Sequence, residues 1–224
     1  MTLNLIMLGP PGAGKGTQAE QIARVRGIPK ISTGDILREA AHDGTEIGRR
    51  AHATMSRGKL VSDDIMIGIV RDRLDQKDVH AGFVLDGFPR TVTQAKALDE
   101  IMAGRDPLIV VEIVVPEAEL VRRLSKRMVC EGCGATADAA AASASAACRR
   151  CGGKLVQRRD DDDAVVRERL KVYHDETQPL VEYYCRRPTF RSVNGSQAPD
   201  RVGADLMAAI DSAGNGVAVK GVRL

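Results

Sequence analysis

Nine residues constrain this chain more than any others: Gly9-Pro10-Pro11-Gly12-Ala13-Gly14-Lys15-Gly16-Thr17, set between an apolar run, Leu3 to Leu8, and a stretch of helical spacing. The run is short and closed by Gly-Pro, so it reads as a buried parallel strand. From Lys15 on, Ala19, Ile22 and Ala23 recur at helical spacing until Gly27 supplies a C-cap. Strand, glycine loop and helix in that order form a phosphate cradle. Gly12, Gly14 and Gly16 let several backbone N–H groups converge on a phosphate in dihedrals that other residues avoid. The helix N-terminus adds unpaired amides and partial positive charge, and Lys15 is the mobile cation that follows charge on the β- and γ-phosphates. The strict motif has Ser or Thr directly after the lysine; here Gly16 stands in that place and Thr17 follows, so Mg²⁺ is expected to lack that hydroxyl ligand. The competing reading is a glycine-rich turn with no ligand.

With 224 residues and 43% hydrophobic content, the chain is long enough for one substantial core with small insertions. A net charge of +3 argues for neither nucleic acid nor membrane, so an anion site has to come from local placement of arginines. Without Trp, and with three Tyr and three Phe, stacking on single strands has little support. No apolar run approaches the roughly 20 residues of a membrane span, and no basic-then-apolar signal precedes the motif strand. A cytoplasmic monomer is expected.

Ile28 to Ser32 reads as a second strand, and Thr33-Gly34-Asp35 caps a helix beginning at Ile36. A further helix is expected from Glu46 to about Met55, and Gly58 to Asp64 then breaks the pattern before a helix whose apolar side is marked by Ile65, Ile69 and Leu74. Residues 32–61 thus form a small helical insert with few large apolar residues, a mobile flap with little core of its own. Phe83-Val84-Leu85-Asp86 is an apolar strand ending in a carboxylate, where a parallel sheet places functional groups. Asp86 either organises Mg²⁺ and its waters or caps the following turn. Leu108 to Val115 reads as a central strand, followed by a helix carrying Arg122, Arg123, Lys126 and Arg127. Phe190 to Val193 and Val202 to Ile210 complete a doubly wound α/β fold of about five parallel strands. Gly214 to Leu224 reads as a loose tail.

Cys130-Glu131-Gly132-Cys133 and Cys148-Arg149-Arg150-Cys151 have the spacing of two knuckles sharing one zinc ion; the rival reading, a pair of disulfides, conflicts with a cytosolic setting. A closed Cys₄ shell leaves no open position, so this metal would staple the segment and take no part in chemistry. Between the knuckles, Ala135 to Ala147 is alanine interrupted only by Thr136, Asp138, Ser143 and Ser145, which favours helix or disorder over strand. Cys185 reads as a buried or half-buried helical thiol. The run Asp160 to Asp163 either pairs with cations when the site closes or is a solvated helix start.

Taken together, Gly9 to Thr17, Ser32 to Asp35, Gly58 to Val61, Leu85 to Thr91 with Gln94, and Arg158 to Asp161 make the chain resemble the adenylate kinase family in its long-lid, zinc-carrying bacterial form. The resemblance implies a discontinuous P-loop core (1–31, 62–125 and 164–224), a monophosphate-binding insert at 32–61, a lid at 126–163, and the reaction ATP + AMP ⇌ 2 ADP with Mg²⁺. Gly12, Ala13, Gly14, Lys15, Gly16 and Thr17 would hold the ATP phosphates. Thr33, Arg38, Lys59, Leu60, Val61, Gly87, Phe88, Pro89, Arg90 and Gln94 would hold AMP, with Gln94 reading its adenine. Arg123, Arg127, Arg158 and Arg169 would converge on the transferring phosphoryl group, whereas Arg122, Arg149, Arg150 and Arg167 are left as solvated faces. Lids of this family usually place an aromatic near the ATP base; Thr136-Ala137 stand there in this chain, and Gln197 would approach the adenine through its backbone carbonyl. A kinase of UMP, CMP or GMP on the same scaffold is one alternative. A zinc-knuckle nucleic-acid binder is another, although its basic patch would be interrupted by Asp160 to Asp163.

Overall fold

The computed structural model describes residues 2–138 and 147–218. Five parallel strands, β1 (Leu3–Leu8), β2 (Lys30–Ser32), β3 (Gly82–Asp86), β4 (Leu108–Val114) and β8 (Phe190–Asn194), form a sheet in the order β2-β3-β1-β4-β8. β1 lies at its centre, with Leu5 in register with Val84 on one side and Ile109 on the other. Successive side chains leave a strand on opposite faces, so a near-continuous apolar run fills two cores. On one face Leu5, Met7, Val111 and Ile113 pack against α1 (Lys15–Arg26), α6 (Glu117–Ser125) and α9 (Pro199–Ala218). On the other, Ile6, Leu8, Leu85 and Val110 meet α4 (Asp63–Leu74), α5 (Val92–Ile101) and α8 (Pro179–Tyr184).

Two helices, α2 (Thr33–His42) and α3 (Glu46–Met55), follow β2. Their Ser32 and Thr45 N-caps accept from Asp35 N and Gly48 N. This segment has more core than its composition suggested: Leu37 and Ala51 are buried in the second cluster. The two helices meet by backbone, because a Cβ on Gly48 would fall 2.1 Å from the Ala40 carbonyl carbon. In α4 the buried stripe is Met66, Val70 and Leu74, one position on from Ile65 and Ile69, which are half-buried. Both stripes have helical period, and periodicity alone does not choose between them.

The α6 helix stops at Ser125, and Arg127 opens β5 (Arg127–Cys130). β5 is the middle strand of a small antiparallel sheet between β6 (Thr136–Asp138) and β7 (Leu155–Gln157). Pairing with β5 overrides the weak strand preference of Thr136-Ala137, so the start of the alanine-rich stretch is extended; 139–146 lie outside the described residues. After β7, α7 (Asp163–Val172) runs through a π-helical turn, Tyr173–Thr177, into α8. Cys185 caps this last helix and is exposed, because the buried side of α8 is carried by Leu180 and Tyr184. The expected tail is helical as far as Ala218, continuing the buried stripe of Val202, Leu206, Ile210 and Ala213, and 219–224 lie outside the described residues. Among the described residues no helix is long and apolar enough to cross a membrane.

Candidate active site

The loop between β1 and α1 turns on glycines. Gly14, the residue before α1, sits at φ 95°, a left-handed conformation that costs other residues free energy. Lys15 folds back over the loop, its Nζ donating to the carbonyls of Gly9 at 2.6 Å and Pro10 at 2.9 Å. Ala13 is buried in the core and Thr17 is exposed. Asp86 ends β3 beside the loop, so close that a Cβ on Gly16 would stand 3.2 Å from its Oδ2. A serine or threonine after the lysine would crowd this carboxylate.

Lys15, Gly87, Arg90, Arg169 and Tyr173 line an open cleft at the carboxyl edge of the sheet. Behind it lies a set of ion pairs. Asp161, with a side chain 0% exposed, accepts from Arg127 Nε at 2.7 Å and from Nη2 at 2.5 Å, and also from Arg169 Nη1 at 3.0 Å. Asp160 pairs with Arg158 at 2.7 Å and Arg169 at 3.2 Å. Asp162 instead caps α7 by accepting from Ala164 N, so the acidic run divides between the two roles open to it.

Positive charge still predominates. Burial pushes Lys15 down to about 8, opposed by Asp86 and reinforced by Arg90, Arg169 and Arg127. Burial likewise takes Arg169 down to about 10 and lowers Arg90, with Asp160 and Asp86 respectively opposing. Burial acts to raise Asp160, yet Arg158, Arg169 and Arg127 together hold it below the usual carboxylate range. Desolvated cations of this kind are short of anions, and a bound phosphate chain would supply them.

Around the insert, Thr33 Oγ1 donates to Gly87 O at 2.9 Å and Arg90 Nε donates to the same carbonyl at 2.9 Å. Arg38 is held by Asp35 and feels Arg158 and Asp160 across the cleft. Lys59 stands 3.4 Å from Glu168, Leu60 and Pro89 line the cleft, Val61 is half-buried against the core, and the Phe88 ring is buried in it. Gln94 is 1% exposed; its Oε1 accepts from Arg90 N at 2.8 Å and its Nε2 donates to Asp63 at 2.7 Å. Asp63 went unrecognised in the sequence, where an acid in a first helical turn needs no explanation beyond the dipole. Tyr173 was missed as well, because nothing local announces a π-helical turn.

Other candidates lie apart from this cluster. Arg123 is bound to Glu119 at 2.8 Å and to Gly195 O at 2.9 Å, and Gln197 is turned onto Asn194 O and Asp205. Thr136 and Ala137 sit on β6, the first exposed and the second half-buried. The sulfurs of Cys130, Cys133, Cys148 and Cys151 all lie within 4.8 Å of one another, with 3.5 Å between Cys130 and Cys151 and 3.7 Å between Cys133 and Cys148. Those separations leave the thiols unbonded to each other, positioned to hold a metal ion. Amides of Arg150 and Cys151 donate to Cys148 and bring its thiol down to about 7.

A parallel sheet ordered β2-β3-β1-β4-β8, a glycine loop running into α1, and cations facing it from α7 and from the turn after β3 define a P-loop phosphotransferase of the nucleoside monophosphate kinase class. Within that class the chain belongs to the adenylate kinase family, whose model matches residues 7–189. It is 46% identical over 213 residues to the adenylate kinase of Archaeoglobus fulgidus, covering 93% of this chain and 98% of the relative. With the adenylate kinase of Moorella thermoacetica it shares 48% identity over 200 residues, 88% of this chain and 92% of the relative. For the Geobacillus sp. adenylate kinase the figures are 47% over 208 residues, 91% and 96%.

Proposed function

We propose that the cleft holds ATP and AMP end to end and transfers the γ-phosphoryl group between them, giving two ADP. The observation that carries this reading is the surplus of desolvated cations around Lys15, Arg90 and Arg169. An oxygen of the AMP phosphate attacks the γ-phosphorus, the bond to the β-phosphate oxygen breaks, and ADP leaves; no protein nucleophile is needed. The protein's task is alignment and neutralisation of charge on the equatorial oxygens. Residues Gly12 to Thr17 cradle the ATP phosphates, and Lys15 leaves the Gly9 and Pro10 carbonyls to join them. Arg38 and Arg90 take the AMP phosphate, with Thr33 and residues 59–61 beside it, and Gln94 reads the adenine. Arg127, Arg158 and Arg169 surround the transferring group, and Arg123 joins them by leaving Glu119 and the Gly195 carbonyl. Asp160 and Asp161 keep three of these guanidinium groups in place before the anions arrive.

Asp86 is the residue suited to Mg²⁺ through its waters, since it ends a strand beside the loop and faces a position that carries no side chain. Bound Mg²⁺ adds positive charge across the triphosphate oxygens. For the lid cluster the fitting ion is zinc. A tetrahedron with Zn–S of about 2.3 Å spaces its sulfurs by about 3.8 Å, near the measured 3.5 and 3.7 Å. A Cβ on Gly153 would lie 2.9 Å from Cys130 Sγ and 3.3 Å from Cys151 Sγ, so the backbone is shaped around this cluster. Water would compete with AMP in an open site, and the segment at 126–163 serves as the cover.

A coupled assay with ATP and, in turn, AMP, GMP, CMP and UMP tests the reading. Turnover is expected with AMP above the others. Comparable or greater turnover with another monophosphate would overturn it.

A further inference from the structure

The carboxylate of Asp63 stands at the start of α4, yet it caps nothing there: Ser62 makes no side-chain cap, and both oxygens of Asp63 reach across to the start of α5. Oδ2 accepts from Thr91 Oγ1 at 3.0 Å and Oδ1 accepts from Gln94 Nε2 at 2.7 Å. Thr91 Oγ1 in turn accepts from Gln94 N at 3.1 Å as the N-cap of α5, and Gln94 Oε1 accepts from Arg90 N at 2.8 Å. A carboxamide has two ends of nearly equal shape and opposite polarity, and its orientation is set by its partners. Both partners here are one-way. An ionised carboxylate only accepts and a backbone N–H only donates, so Nε2 must face Asp63 and Oε1 must face Arg90.

We infer that Asp63 is a positioning residue for monophosphate selectivity: it locks the Gln94 amide in the orientation that matches adenine and rejects 6-oxopurines. This rests on the proposed reading of Gln94 as the group that meets the AMP base. With one N–H and one lone pair spoken for, the amide retains one donor and one acceptor for a ligand. Adenine offers the complement, an acceptor at N1 and a donor at its 6-amino group. Guanine and hypoxanthine reverse both, with a donor at N1 and an acceptor at O6. Binding them in the same pose requires a flipped amide, which would put Oε1 against the Asp63 carboxylate and Nε2 against the Arg90 N–H. Gln94 is 1% exposed, so water cannot relieve either clash. The discrimination is thus built into the side chain behind the one that touches the base.

Asp63→Ala and the isosteric Asp63→Asn test this in the full-length protein, with AMP and IMP as competing acceptors and a thermal melt on each variant. Asp63→Asn removes the obligate acceptor and can donate to a flipped Gln94, and it keeps the shape if Asp63→Ala unfolds. The expected result is a ratio of kcat/KM for AMP over IMP reduced about tenfold or more, the scale of one unsatisfied buried polar contact. That loss should be carried mainly by a higher KM for AMP, since the Arg90 N–H still opposes the flipped amide that IMP needs, with kcat on saturating AMP within about threefold of the parent. A merely structural role would lower both substrates together. An Asp63→Asn variant that melts like the parent and keeps its AMP over IMP ratio within about twofold would overturn the inference while leaving the reaction intact. A parent protein that fails to phosphorylate AMP would instead remove the reading on which the inference stands.

Discussion

The two ends of the cleft are built differently. At the end proposed for the monophosphate Gln94 is 1% exposed and its neighbours Arg90, Thr91 and Asp63 bond to it and to one another. At the end proposed for the ATP base, Thr136 is exposed on β6, an outer strand of the small sheet, and Gln197 turns its side-chain amide onto Asn194 and Asp205, leaving its backbone carbonyl as the group proposed for the base. One end is held rigid by these bonds, and a wrong base bound there would strand a buried polar group. The other offers small or solvated side chains, and grip there has to come from the phosphates. Base selectivity is therefore expected to be concentrated in the acceptor, with charge doing most of the work for the donor.

Removing the charges shared by both ends is the harshest test. Lys15→Ala and Arg90→Ala should each lower kcat/KM by at least the order of 100-fold, as deletion of one preorganised charge-stabilising donor does. If either loss fell equally on both nucleotides' KM with kcat unchanged, these residues would be anchors and not transition-state groups. Next in size is Asp161. Deleting this fully buried carboxylate takes the ion-pair partner from Arg127 and leaves Arg169 with Asp160 alone, and Asp161→Ala should cost about 3 kcal/mol of stability. Glu119 makes similarly short bonds to Arg122 and Arg123 near the surface, where solvent screens them, and Glu119→Ala should lower the melting temperature far less than Asp161→Ala. Thermal melts on the pair separate a structural ion cluster from a surface one.

What could be foreseen from the residues follows the same division. The loop Gly9 to Thr17 was legible because its demands are local: glycine dihedrals, a strand before it and a helix after it. β1, β3 and β4 were legible because a strand buried on both faces must be apolar throughout. The sheet β6-β5-β7 was not, since Thr136-Ala137 become strand only through pairing with β5 at long range. Arg127 was assigned to a helix for the same reason: nothing in Ser125-Lys126-Arg127 marks a stop. Asp63 and Gln94 are far apart in sequence, and the bond between them exists only once α4 and α5 have packed.

Removal of the proposed zinc should act on residues 126–163 alone. Chelation, or Cys133→Ser, should make residues 126–163 the first site of proteolysis, while amide-exchange protection in β1, β3 and β4 stays as in the parent. Equal loss of protection in the core would show that the cysteine cluster stabilises the whole molecule. Proton removal from Lys15 is a milder probe. Phosphate binds its protonated form, and burial holds its pKa near 8, so kcat/KM for ATP should fall as pH rises through about 8. The sign for stability is the reverse. The unfolded chain holds more protons between about 8 and the ordinary 10.5, so the free energy of unfolding contributed by Lys15 rises with pH across that window.

The smallest expected effect concerns the ATP base and bears most directly on the contrast between the two ends. If the phosphates supply nearly all the grip, replacing ATP by GTP as donor should change kcat/KM by less than about tenfold, well short of the AMP to IMP difference. Thr136→Tyr places a ring on β6 where the family's lids carry an aromatic. Stacking of a base on such a ring is worth about 1–3 kcal/mol when the ring is well placed. On an exposed strand position the lower end applies, so the KM for ATP should fall by several-fold with kcat nearly unchanged. A strong preference for ATP over GTP in the parent protein, untouched by Thr136→Tyr, would mean that the donor base is read by groups other than Thr136 and Ala137, and the asymmetry between the two ends would disappear.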